Sequence, residues 1–254
     1  MISIDKLAYT STLRRVNPLE KFIFVLSTMM ICLICNHMIV SIAVLFTMSF
    51  MTVVRGKINF KLYLKFMSIP LAFLIIGIIS IALNMGYSKD FLFSFGVLGL
   101  QFGCTKESIG LAVNILLKSF ACVSGLYFLS FTTPMIELLS VLKKLKFPSL
   151  LIELMSLIYR FIFVLLETVN MIYIAQDSRL GYVDFKSSYY SLGKLITSLF
   201  VTSYKKAQDL YISLEARGYD GEIHVIENTY SISYKNLGMM IVFELFLVLI
   251  YIYV

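Results

Sequence analysis

No formal charge occurs between Phe22 and Val54. A single helix of that length would run roughly 50 Å, well beyond a hydrocarbon core of about 30 Å. Asn36-His37 offers a break, so the pattern predicts two short apolar helices, 22–35 and 38–54, folded as a tight hairpin. Each is short for a spanning helix, which implies local thinning or tilted packing. Comparable apolar runs follow near 66–84, 108–131 and 237–254, and Pro70 is placed to kink the first of these near its start. Residues 85–106 hold glycines and phenylalanines with few charges and read as an external or re-entrant loop. Hydrophobic residues make up 59% of the chain and charged ones only 15%. With a mean hydropathy of +0.87, the expected class is an all-α integral membrane protein with about five transmembrane helices.

Charge placement orients it. The net charge of +7 does not point to nucleic acid, because the lysines and arginines gather at the edges of apolar runs, as they do on the cytoplasmic side of membrane proteins. Arg55, Lys57, Lys61 and Lys65 separate the second and third runs, and Asp5, Lys6, Arg14, Arg15, Glu20 and Lys21 precede the first. That start reads as a cytoplasmic lead-in rather than a cleaved peptide. Five spans leave Lys89 and Lys106 outside. Were 149–174 and 189–204 also to cross, Arg179 and Lys186 would face outward, which the positive-inside rule disfavours. The expected organisation is therefore a membrane part with four spans at 1–131, a cytoplasmic or interfacial platform of amphipathic helices at 132–235, and a last span at 236–254. The protein is expected to be multi-pass in the cell membrane, in contact with its lipid, with the N-terminus and platform cytoplasmic.

The platform carries the candidate site. From Ser191, the polar positions Lys194, Ser198, Thr202, Lys205, Asp209 and Ser213 recur at steps of three and four. Leu195, Ile196, Leu199, Phe200, Leu210 and Leu214 cover the other face. This helix ends in Glu215-Ala216-Arg217-Gly218-Tyr219. Arg217 suits the negative end of the dipole, and Gly218 can take the left-handed conformation that stops a helix. The run 149–178 ends similarly, in Ser178-Arg179-Leu180-Gly181-Tyr182. Two helices with basic tips suit a partner with two equivalent pockets; the plainer reading is that each arginine pairs with a local carboxylate. Upstream, Thr132-Thr133-Pro134 and Glu137 predict a capped helix that closes with Lys143, Lys144 and Lys146, an arrangement compatible with anionic headgroups.

Together these residues resemble the transmembrane T component of energy-coupling-factor (ECF) transporters, most closely its cobalt-transport CbiQ branch. The resemblance covers nearly the whole chain. It includes Ile4-Asp5-Lys6-Leu7-Ala8, Asn17-Pro18-Leu19-Glu20-Lys21, Thr132-Thr133-Pro134, Tyr159-Arg160, Ala175-Gln176 and Glu215-Ala216-Arg217-Gly218-Tyr219. It implies a subunit that performs no chemistry. Such a subunit joins two ABC-type ATPase subunits to a substrate-binding membrane subunit, CbiM-like or another S component, and turns ATPase motion into movement of that subunit. Two Ala-Arg-Gly motifs close the family's coupling helices, each arginine docking in an ATPase groove. The implied docking residues here are Ala216, Arg217 and Gly218, with Ser178, Arg179 and Gly181 at a first motif that departs from the pattern. The implied cargo is cobalt, or a vitamin if the chain serves a vitamin-specific subunit.

Other residues invite scrutiny. Lys118 and Glu244 lie inside apolar runs, where charges are functional suspects, and together with Arg160 they are candidate intramembrane polar contacts. Cys32, Cys35 and His37 could imitate a soft metal cluster, but cysteines at helix spacing are usually packing, so neither metal nor cofactor is expected. His224 reads as a surface side chain. No phosphate-binding G-x-x-x-x-G-K-[ST] or H-E-x-x-H occurs. The enzyme alternative is an intramembrane hydrolase or lipid-modifying enzyme built on Glu153, Arg160 and Glu167, which share one helix face.

Overall fold

The computed structural model describes residues 3–82, 84–85, 93–97, 100–219, 230–231 and 233–253. The helices are α1 Ser3–Thr10, α2 Pro18–Cys35, α3 Met38–Phe50, α4 Phe60–Ala82, α5 Lys106–Thr132, α6 Met135–Lys144, α7 Ser149–Asp177, α8 Phe185–Glu215 and α9 Tyr234–Tyr253. A 3-10 turn covers Thr12–Arg15, and a π-helical turn, Met51–Arg55, follows α3. The hairpin break falls at the residues named from sequence. Asn36 closes α2 in the left-handed conformation (φ 42°), and His37 caps α3, its Nδ1 accepting from the Ile39 N–H at 3.4 Å. Asn17 caps α2 by accepting from the Leu19 N–H at 3.0 Å, with Pro18 in the first turn.

Three features differ from the sequence reading. The loop at 85–106 contains a small antiparallel sheet, β1 Asn84–Met85, β2 Phe93–Val97 and β3 Leu100–Cys104, in the order β1-β3-β2. Its register pairs Phe95 with Phe102 and Val97 with Leu100. Aromatic and branched residues favour such pairing, but segments this short carry little periodic signal. The class remains all-α, with the sheet inserted between α4 and α5. Among the described residues six helices, rather than five, are long and apolar enough to cross a bilayer, the sixth being α7. The helix α6 also starts without the expected hydroxyl cap: Thr133 Oγ1 is buried and has no hydrogen-bond partner among the described residues.

The chain forms two compact units, one of Ile2–Leu138 with Thr229–Val254 and one of Leu139–Asn228 (Met1 apart). In the first, α2, α3, α5 and α9 enclose a core of Phe24, Val25, Cys32, Val44, Met48, Ala121, Phe128 and Leu247. Buried hydroxyls there bond their own helices, as Thr52 does to the Met48 carbonyl (2.7 Å) and Ser124 to that of Ala121 (2.7 Å). The outer faces are apolar: Ile34 is 76% exposed, Phe46 70% and Phe73 79%, levels that suit a lipid-facing surface. This is a multi-pass membrane protein.

In the second unit α7 and α8 form an antiparallel hairpin pinned at both ends. At the connection, Gln176 Nε2 donates to the Ser191 carbonyl (3.0 Å) and Ser191 Oγ to the Gly181 carbonyl (2.9 Å). At the other end, Tyr219 Oη donates to Glu153 Oε2 (2.9 Å). Asp184 caps α8 by accepting from the Ser187 N–H at 2.7 Å. Its carboxyl is held below the usual range, first by the Ser187 side chain and then by this bond from the Ser187 backbone.

Candidate functional site

The two arginine-bearing helix ends are the same turn. At the end of α8, the Arg217 N–H donates to the Leu214 carbonyl, that of Gly218 to Glu215, and that of Tyr219 back to Leu214, each at 3.0 Å. At the end of α7, the Arg179 N–H donates to the Gln176 carbonyl (3.1 Å), that of Leu180 to Asp177 (2.9 Å), and that of Gly181 back to Gln176 (2.9 Å). Each turn closes with the long backward bond of a Schellman cap and one residue in the left-handed region. That residue is Gly218 (φ 75°) in one turn and Leu180 (φ 60°) in the other.

The correspondence pairs Ala216 with Ser178, Arg217 with Arg179, Gly218 with Leu180, and Tyr219 with Gly181. Gly181 is a glycine for another reason. A Cβ there would lie 2.7 Å from Ser191 Oγ and 2.8 Å from the Gln176 carbonyl oxygen, so the turn could not sit against α8. A Cβ on Gly218 would meet nothing within 4 Å, so only its backbone conformation favours glycine.

Both arginines are exposed, and among the described residues neither makes an ion pair, the one described pair being Arg14 with Glu137. The plainer reading of the tips, arginines spent on local carboxylates, therefore finds no support among these residues. Because the helices are antiparallel, the tips lie at opposite ends of the hairpin, separated along α8 by on the order of 40 Å at 1.5 Å per residue. A guanidinium left free at each end is a planar, permanently charged donor fork available to a carboxylate. Between the ends, Leu150, Leu154, Ile158, Ile162 and Leu166 follow one another every fourth residue on α7, all exposed, as one apolar stripe.

The remaining candidates have structural partners. Lys118 Nζ donates to the Leu33 carbonyl (2.8 Å) and to Asn36 Oδ1 (3.1 Å), closing the carbonyl end of α2. A pairing of Lys118 with Glu244 is not made; Glu244 instead accepts from Ser27 Oγ. Arg160 is exposed on α7. Glu153 and Glu167 are fourteen residues apart on that helix, about 21 Å, too far to act on one bond. The Cys32 thiol lies 3.7 Å from Ser41 Oγ and Cys35 is buried, so with His37 as a cap the three do not converge. His224 lies outside the described residues.

Sequence reasoning did not single out a buried polar latch in the membrane unit. Lys21, 2% exposed, donates to the carbonyls of Thr132 (2.8 Å) and Leu13 (3.2 Å). Glu20 accepts from the Ser233 N–H (2.8 Å) at the start of α9. Glu137 Oε1 accepts from Tyr230 Oη (2.7 Å) and from Arg14 Nε (3.5 Å). The Arg14 guanidinium also lies 4.8 Å from the Tyr9 ring centre. Burial, and then the Asp5 carboxylate, push the Tyr9 hydroxyl above its ordinary pKa despite Arg14. The signal was the Asn-Pro-Leu-Glu-Lys run together with Thr132-Thr133-Pro134, the segments that the latch ties together.

Both arginine turns, and the latch residues from Tyr9 to Glu137, fall within one family model: that of the cobalt transport protein CbiQ matches residues 9–227. The chain belongs to that family. A putative fused cobalt transport protein CbiMQ of Methanocorpusculum labreanum is 33% identical over 86% of this chain and 36% of its own length. The cobalt transport protein CbiQ of Salmonella typhimurium is 27% identical, over 89% of this chain and 100% of its own. The energy-coupling factor transporter transmembrane protein EcfT of Exiguobacterium sibiricum is 30% identical over 84% and 82% of the two chains. This CbiQ-family chain is thus a transporter protein of the ECF T-component type.

Proposed function

We propose that this chain is the coupling subunit of an ECF-type importer: a non-catalytic T component that transmits the closing and opening of two ABC-type ATPases to a substrate-binding membrane subunit. The observation that carries the reading is the pair of matching arginine turns at opposite ends of one hairpin. Each exposed guanidinium docks in a groove of one ATPase, Arg217 flanked by Ala216 and Gly218, and Arg179 by Ser178 and Leu180, with Gly181 letting the turn close. The apolar stripe on α7 supplies the surface on which the substrate-binding subunit rides. Cobalt ion is the proposed cargo, on the family's description and the names of two relatives. A vitamin-serving role is the second reading, favoured by the relative named EcfT. On this reading 132–235 is the coupling platform, it and the N-terminus are cytoplasmic, and the chain resides in the cell membrane.

The test is co-purification from native membranes with identification of what accompanies the chain. The expected companions are an ATPase and a small membrane subunit, the latter revealing the cargo. Removing one partner of an interfacial charge pair typically costs about 2–5 kcal/mol, so Arg217→Ala should release the ATPase while leaving the chain folded in the membrane. Full recovery of the ATPase with Arg217→Ala, and again with Arg179→Ala added, would overturn the docking role.

A further inference from the structure

A second site lies within the membrane unit. A cavity of about 160 Å³ opens among α2, α5, α9 and the π-helical turn, lined by Phe24, Phe128, Met240 and Phe243 with Lys21 and Arg55. Its size matches engineered apolar cavities that stay dry and accept a benzene-sized group.

Two details indicate what fills it. The lining holds two cations and no acidic residue. Of the three donors on the buried Lys21 ammonium, two go to the Leu13 and Thr132 carbonyls; the third has no acceptor among the described residues. The rim is also built rather than incidental. The π turn, closed by the Gly56 N–H on the Met51 carbonyl (2.9 Å), presents Met51 and Arg55 to the cavity. Its end is tied down by Thr12 Oγ1 on the Arg55 carbonyl and Ser11 Oγ on that of Gly56 (3.3 Å). Turns of this type are rare and concentrate at functional positions.

We propose that the cavity holds a short segment, about six carbons, of one acyl chain of an anionic membrane lipid, whose headgroup rests on Arg55 and the open side of Lys21. An apolar slot in a bilayer-embedded protein is most readily filled by hydrocarbon, and a lining with two cations and no carboxylate selects a negative headgroup over a zwitterionic one. The lipid wedges between α9 and the α2–α5 pair and stabilises the packing on which the latch residues depend.

Native mass spectrometry of the delipidated full chain in detergent tests this. Phosphatidylglycerol should bind at one site about tenfold more tightly than phosphatidylcholine, and added inorganic phosphate should not displace it. Arg55→Gln should reduce binding to the phosphatidylcholine level, whereas Lys61→Gln, an exposed cation outside the cavity, should leave it unchanged. Met240→Trp, which fills the slot, should weaken both lipids; if it does not fold by circular dichroism, Arg55→Gln decides. Equal binding of the two lipids, or no effect of Arg55→Gln, would overturn the proposal. A photo-crosslinker at Met239 in native membranes gives an independent readout: a lipid adduct supports the proposal, and an adduct to another protein overturns it.

Discussion

Leu180 occupies a position that its counterpart fills with glycine, and exchanging the two makes a quantitative test of the turn equivalence. The left-handed conformation costs a residue with a Cβ roughly 1–2 kcal/mol. Leu180→Gly removes that cost but gives the unfolded chain more freedom, offsetting about 0.4–1 kcal/mol. The side chain is 73% exposed, so little burial is lost. The α7 cap should gain a net ~0.5–1 kcal/mol. Gly218→Ala is the mirror experiment: the new Cβ meets nothing within 4 Å, so backbone strain alone should weaken the α8 cap by a similar amount. The amides to follow are those that close the turns, Gly181 onto Gln176 and Tyr219 onto Leu214. By hydrogen exchange in detergent, the first should slow about two- to fivefold in Leu180→Gly and the second quicken by a like factor in Gly218→Ala. Unchanged or faster exchange at Gly181 in Leu180→Gly would refute the claim that the two ends are one motif.

Three further outcomes follow from geometry already described. Gly181→Ala drives a Cβ against Ser191 Oγ and the Gln176 carbonyl and should lower hairpin stability by about 1–3 kcal/mol; Ser191→Ala should rescue it only in part, which thermal melts of the single and double variants would resolve. Lys118→Met leaves the α2 end without its charged donor and should cost about 1–2 kcal/mol, seen as a lower melting temperature, whereas an unchanged melt would mean that solvent replaces the lysine. Asp184 titrates below its unfolded value, so its cap is fully formed above the unfolded carboxylate pKa and is lost as pH falls through the depressed one. An NMR titration of its carboxyl carbon should show that lowered midpoint, and Ser187→Pro, which removes the backbone donor, should raise it.

What could be read from the sequence was whatever a local rule determines. Asn36 tolerates the left-handed region, so the hairpin break was visible. The first arginine turn was legible as a motif but not in register, because two demands usually met by one glycine fall here on neighbouring residues. Leu180 takes the left-handed conformation, while Gly181 allows the close approach to α8, a tertiary contact that no local pattern reveals. The same limit explains Thr133, where a hydroxyl ahead of proline predicts a cap but the helix begins one residue beyond the proline, leaving that hydroxyl idle. It also explains Lys118, whose partners lie more than eighty residues away in sequence.

The helix α7 shows why a single criterion could not place the platform. Its hydropathy of 2.1 equals or exceeds that of most of the other candidate spans, yet crossing would send the Arg179 end to the side that the positive-inside rule leaves poor in cations. The contact pattern eases this conflict. Glu153 is occupied by Tyr219 across the hairpin, so one of the charges on the helix is met from within the unit. The exposed stripe from Leu150 to Leu166 still needs an apolar cover, which lipid or a membrane-embedded protein can supply. A hairpin that needs apolar cover along one side and, among the described residues, carries an unpaired guanidinium at either end is suited to being gripped at its tips while something greasy slides along its flank. On the proposed function, those are the two mechanical demands that a coupling subunit must meet, and both would fall on the same pair of helices.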